Sequence, residues 1–200
     1  MPSSPGSLVD RFRTKFESLR GYVHEADSWD AAVQSALEVC RGAEATCVAL
    51  GETPEPFRAA FVAACEGDGI RVLHPPYDAA ALPGAIDEAQ VGITWIDFAI
   101  ARTGTLVETA LDDATRLASG LPRTHIGMVS ATSFIEELAD AAPRMRETFS
   151  TYSENCTISF LSGPSRTGDI EMRLTLGVHG PESAHALVLA ESLAVELAHG

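Results

Sequence analysis

Three glycine-containing segments hold most of the side chains able to do chemistry: "ARTGTLVE" (Ala101–Glu108), "SGPSRTGDIE" (Ser162–Glu171) and "GVHGP" (Gly177–Pro181). In the first, Thr103 and Thr105 flank Gly104. In the second, Ser162, Ser165 and Thr167 supply hydroxyls beside Gly163 and Gly168, and Arg166 offers a planar fork that can clamp a carboxylate or phosphate. Glycine lets backbone N–H groups approach a ligand closely. Such a set suits a small anion held by Thr103, Gly104, Thr105, Gly163, Ser165, Arg166 and Thr167. Asp169 and His179 are the candidate proton carriers, since a loop histidine titrates near neutrality and a carboxylate can orient it. A plainer reading is that the glycines only turn the chain, that Asp169 closes an Asx turn and that His179 is a hydrogen-bonded structural group. Glu108 is a possible base or nucleophile, and a solvated strand carboxylate is its simpler reading. His125 stands at a strand entrance. There is no terminal Gly-Lys-Ser/Thr of a phosphate loop and no G-x-G-x-x-G after a strand, so nucleotide-binding signatures are absent.

These loops must be positioned by the elements around them. Ser7, with Asp10 three residues on, caps a helix over about 7–20 that carries Leu8, Phe12, Phe16 and Leu19 on one face. Asp27 or Ser28 opens a second helix that Gly42 can end. The chain then alternates between short apolar strands and amphipathic helices. The strands are Thr46–Leu50, Ile70–Leu73, His125–Ser130, Thr157–Leu161 and His185–Ala190. A helix opens at Thr53-Pro54-Glu55-Pro56, and a second is predicted from a Ser133/Glu136 capping box up to Pro143. This alternation predicts an α/β fold with a mainly parallel sheet covered by helices. Val91–Thr109, strand-like throughout, and Ile170–Leu176, with apolar residues at every second position, predict mixed or antiparallel strands added to the parallel core. In such sheets ligands sit outside the carboxyl ends of the strands, and the three loops are expected to converge on one cleft.

The 200 residues carry a formal net charge of −14 and are 46% hydrophobic. This length suits a single domain over 7–200, preceded by a disordered 1–6. The acidic balance excludes nonspecific nucleic-acid binding and an anionic membrane surface, both of which need clustered lysine and arginine. No run of about 18 apolar residues can span a bilayer, and the amino terminus lacks a signal-peptide core; a cytoplasmic location is expected. Cys40, Cys47, Cys65 and Cys156 form no C-x-x-C pair, so free thiols and no metal site are expected. The apolar stripe of the first helix needs a partner, either the core or a second copy in a homodimer.

"VGITWIDFAIARTGTLVE", "LPRTHIGMV", "SGPSRTGDIE" and "GVHGP" resemble, in order and approximate spacing, the LUD-domain family, and within it the lactate utilization group of the C type. The match runs from about Val91 to Leu189. The resemblance implies a fold similar to the NagB/RpiA/CoA-transferase group. It also implies participation in oxidising L-lactate to pyruvate beside iron–sulfur partner proteins, in a subunit that carries no cluster itself. It supplies no established catalytic role, and none is carried to Glu108. The cofactor is unknown. Two rival readings stand beside it: a stand-alone enzyme handling acyl or formyl groups, and a regulatory or scaffold module.

Overall fold

The computed structural model describes residues 7–152, 154–168, 174–176 and 180–193, with backbone only for 166–168 and 174–176. In chain order the elements are α1 (Leu8–Ser18), β1 (Tyr22–Ala26), α2 (Trp29–Gly42), β2 (Cys47–Leu50), α3 (Glu55–Gly67), β3 (Arg71–Leu73), the short α4 (Gly84–Asp87), β4 (Val91–Ile96), β5 (Phe98–Ile100), β6 (Thr105–Ala110), α5 (Asp113–Gly120), β7 (Thr124–Ser130), β8 (Phe134–Ile135), α6 (Ala141–Thr151), β9 (Thr157–Leu161), β10 (Arg166–Gly168), β11 (Leu174–Leu176) and β12 (Ser183–Leu189).

Six strands form a parallel sheet in the order β1-β12-β7-β4-β2-β3. Successive side chains of a strand face opposite ways, and the core divides accordingly. Val48, Leu50, Val91, Ile93, Ile126, Met128, Leu187 and Leu189 meet α2 and α3 through residues such as Val33, Leu37, Phe57 and Phe61. The other face carries Ile96, Val129, Ala184, Ala186 and Val188, which pack on Phe12 and Phe16 of α1 and on Leu106 of β6. Farther along that face Cys47 and Ala49 meet Ala114 and Ala118 of α5. A second sheet, β8-β5-β6-β9, overlies this face; β5–β6 and β6–β9 are antiparallel. The expected α/β class with added antiparallel strands is what the molecule adopts.

Ser7 caps α1 through a full capping box with Asp10 (3.1 and 3.0 Å). Phe12 and Phe16 are fully buried in this chain's own core, stacked at 5.1 Å with Phe134 edge-on to Phe12 at 5.3 Å. The core therefore supplies the partner for the α1 stripe, and that stripe gives no reason to invoke a homodimer. Ser28 caps α2. Cys40, Cys47 and Cys65 are buried free thiols, Cys156 is half-buried, and burial pushes the Cys40 thiol up to about 12. Among the described residues no helix is long and apolar enough to cross a membrane, and no group of three or more metal-ligating side chains is assembled.

Three expectations need correction. Thr157–Leu161 belongs to the second sheet, antiparallel to β6, instead of the parallel core. The helix expected after Ser133 is absent: Phe134–Ile135 pair with Ala99–Ile100, and Glu136 bonds Arg11 of α1 (2.6 Å) instead of capping. The helix starts later, at Ala141, with Pro143 inside its first turn; there the missing N–H has no helical acceptor to lose. Gly168 is a strand residue, facing Leu174 across the β10–β11 pair, and not a turn. The segments 1–6, Ile170–Arg173 and Gly177–His179 lie outside the described residues.

Candidate functional site

The first glycine loop is the tip of the β5–β6 hairpin. Gly104 adopts φ +63, donates its N–H to Ile100 (3.0 Å) and sits against the backbone of Lys15 and Phe16, where a Cβ would come 2.8 Å from the Phe16 nitrogen. Only glycine meets both demands. The second loop leaves β9 through Ser162 and Gly163. Gly163, at φ +90, sits against the Leu19 carbonyl, where a Cβ would come within 3.0 Å. Two loops far apart in sequence are thus seated on the last turn of one helix.

A row of hydroxyls joins them. Thr103 Oγ1 lies 2.7 Å from Thr105 Oγ1, which lies 2.8 Å from Ser162 Oγ. The middle member is buried and Ser162 is exposed, so the row opens to solvent at Ser162. The third loop joins through the backbone: Ser165 N–H donates to the Pro181 carbonyl (2.8 Å), and Glu182 and Ser183 N–H groups donate to Arg123 (2.7 and 3.0 Å). Thr103, Gly104, Thr105, Gly163 and Ser165 therefore belong to one connected cluster. Asp169 and His179 lie outside the described residues, as do the side chains of Arg166 and Thr167.

The cluster lies at an end of the sheet other than the one expected. It packs on the carboxyl end of α1, just before β1, and is tied to the residues that enter β7 and β12. That is the amino end of the parallel strands, because the second sheet folds back over the first and returns its hairpin tip to where the strands begin. Lys15 lies beside Gly104, its Cγ 2.9 Å from where a Cβ on that glycine would stand, and Arg20 follows Leu19, against which Gly163 packs. Neither forms an ion pair among the described residues. Lys15 answers the partial negative charge of the helix end. Hydroxyls that donate or accept at will can hold a carboxylate or phosphate.

Glu108 is not the solvated strand carboxylate expected from its sequence. It is fully buried. Its Oε2 accepts from Ser119 of α5 (2.7 Å), and Oε1 has no hydrogen-bond partner. Burial raises its pKa to about 7, outweighing the nearby Thr94 and Ser119 hydroxyls. Thr94 is itself engaged by His125 Nε2 at 2.9 Å. His125 is wholly enclosed, and burial holds its pKa down to about 3, so it is neutral at pH 7. The available signal was that Thr105–Ala110 shows no alternation of apolar and polar residues: a strand covered on both faces has no solvated side on which to place a carboxylate.

Known proteins agree with this architecture. A crystallised DUF162 family protein from Deinococcus radiodurans superposes with a TM-score of 0.61 over 92% of this chain and 99% of its own, at 18% identity, which shows a shared fold. Lactate utilization protein C of Anoxybacillus flavithermus is 36% identical over 107 residues, 54% of this chain and 47% of that protein. Its counterpart in a Geobacillus species is 35% identical over 120 residues (58% and 49%), and that of Bacillus subtilis 33% identical over 106 residues (52% and 44%). The matches span about half the length of these relatives. The LUD domain model matches residues 9–189. With nearly the whole folded chain accounted for by that model, the protein belongs to the LUD domain family.

Proposed function

We propose that this chain is a cytoplasmic, non-iron–sulfur component of an L-lactate oxidation system, in which lactate becomes pyruvate. It binds a small anionic ligand at the amino-end loop cluster and works beside iron–sulfur partner proteins. The relatives' name, lactate utilization protein C, supports the system. The hydroxyl row Thr103–Thr105–Ser162, open to solvent at Ser162, supports the anion, and it carries the reading. In this reading Arg166 and Thr167 complete the anion cradle. Asp169 would repel an anion directly, so it orients His179 or accepts a proton.

The test is a titration of the isolated chain with L-lactate and with pyruvate, followed by NMR. Ser165→Ala is expected to weaken binding by about 0.5–1.5 kcal/mol, one net hydrogen bond, with no change in melting temperature. Asp169→Asn is expected to lower lactate oxidation by the reconstituted system more than it lowers binding. If both variants bind and support oxidation like the parent, the loops are only turns. Turnover by the purified chain alone would favour an acyl- or formyl-handling enzyme instead. Co-purification with iron–sulfur proteins without affinity for either acid would favour a scaffold.

A further inference from the structure

A second constellation lies on the opposite face of the sheet, under α2, its side chains hydrogen-bonded among themselves and not to the hydroxyl row. Ser183 and His185 alternate onto the same side at the start of β12. Ser183 Oγ lies 2.8 Å from His185 Nε2, and His185 Nδ1 lies 3.0 Å from His24 Nε2 on the neighbouring strand β1. The two imidazoles are nearly coplanar (16°) with centroids 5.3 Å apart. That spacing is what an in-plane N–H···N bond gives, with the rings meeting edge to edge. Tyr22, the register partner of His185, stacks on the His185 ring at 4.8 Å and fixes its plane. Thr124 is the register partner of Ser183 and shares its face. These residues line an open groove of about 400 Å³ with Glu38 on its rim.

We propose that Ser183, His185 and His24 form a hydroxyl–imidazole–imidazole relay in which Ser183 is an acyl-accepting nucleophile for small activated esters. The relay meets the general requirement: a nucleophile within hydrogen-bond reach of a base that is itself oriented by a third group. Burial keeps His185 neutral at pH 7, so its base form is fully populated. In the productive arrangement the Ser183 hydroxyl donates to His185 Nε2, and His185 Nδ1–H donates to His24 Nε2. Ser183 Oγ attacks the ester carbonyl while its proton passes to His185 Nε2. The tetrahedral adduct, its oxyanion facing the Thr124 hydroxyl, collapses with cleavage of the bond to the leaving oxygen, which takes the proton from His185. Water then attacks the acyl-serine through the same histidine, releasing a carboxylic acid and restoring the hydroxyl. Burial lowers the His24 pKa, with Glu38 opposing that shift, so neutral His24 can accept from His185. His24 is a positioning residue, because it acts through His185.

The experiment incubates the full chain with a fluorophosphonate and, separately, with 4-nitrophenyl acetate, and reads peptide mass and nitrophenol release. A single phosphonyl adduct on Ser183 is expected, absent from Ser183→Ala. Nitrophenyl ester turnover by Ser183→Ala should fall at least about 100-fold, within the range for loss of a positioned acid–base pathway. His24→Ala should lower kcat about tenfold or more with KM retained, a split that loss of folding would not produce. His24→Gln, whose amide can still accept from Nδ1–H, should restore part of the rate. No adduct on the parent chain, an adduct on His185 in place of Ser183, or a Ser183→Ala rate within about twofold of the parent would each overturn the relay. None of these readouts involves lactate, so they are independent of the loop-cluster reading.

Discussion

Glu108→Gln is expected to remove a pH-dependent penalty on folding of about 2–3 kcal/mol between pH 5 and pH 8. Burial raises the folded carboxyl from an ordinary value of 4.5 to about 7. The folded chain therefore favours the protonated form, and the unfolded chain gives up its proton first. Stability from this group is fully present below about pH 4.5, falls as pH rises through about 7, and is flat above. A gap of this size corresponds to roughly 1.4 kcal/mol per pH unit across the window. Two buried histidines act the other way, with pKa values lowered to about 3 for His125 and about 4 for His185. Their folded forms resist protonation, so their contribution is lost as pH falls below the unfolded histidine value. The informative quantity is thus the difference between parent and Glu108→Gln, from urea unfolding at both pH values, which cancels the histidines. Glutamine keeps an acceptor for Ser119, so the variant should fold. Equal pH dependence in both proteins would mean that Glu108 does not titrate in this window, and that the enclosed carboxylate is not the strained group its geometry implies.

Phe16→Ala should cost about 3–5 kcal/mol, the usual range for emptying a fully buried aromatic site. Small domains have about 5–15 kcal/mol in total, so this variant should retain little margin. The ring is fully enclosed, stacks on Phe12, and lies directly under Gly21. Its backbone nitrogen lies against Gly104. The effect should therefore reach the candidate site: faster amide hydrogen exchange is expected at Gly104, Gly163 and Ser165, whose loops rest on the last turn of α1. Phe57→Ala is the matched control. Phe57 is equally buried and stacks on Phe61, but it packs on the opposite face of the sheet. It should cost a similar amount in urea and leave loop exchange at the level set by global unfolding. Selective loop exchange in Phe57→Ala, or none in Phe16→Ala, would separate the loops from α1.

Local signals decided much of the architecture. A serine with an aspartate three residues on is enough to start α1, since the cap needs only those side chains and the first turn. Uninterrupted apolar runs such as Cys47–Leu50 identify strands buried on both faces, because no solvated side remains to be polar. The hydroxyl and glycine content of the three loops marked them as one chemical set. Other features depend on which distant segments pack together. Phe134–Ile135 carry helix-compatible residues, yet β5 recruits them as a strand, so their neighbour outweighs their propensity. The amino-end location of the loop cluster follows from the second sheet folding over the first, which no local pattern encodes. Glu108 reads as an ordinary strand carboxylate until α5 closes over it; only then does lost hydration raise its pKa. His24 and His185 are 161 positions apart and meet solely because β1 and β12 are adjacent and in register. Sequence thus determined the elements and their chemical content, whereas packing decided solvation and proximity, because both are properties of what surrounds a side chain and not of the side chain itself.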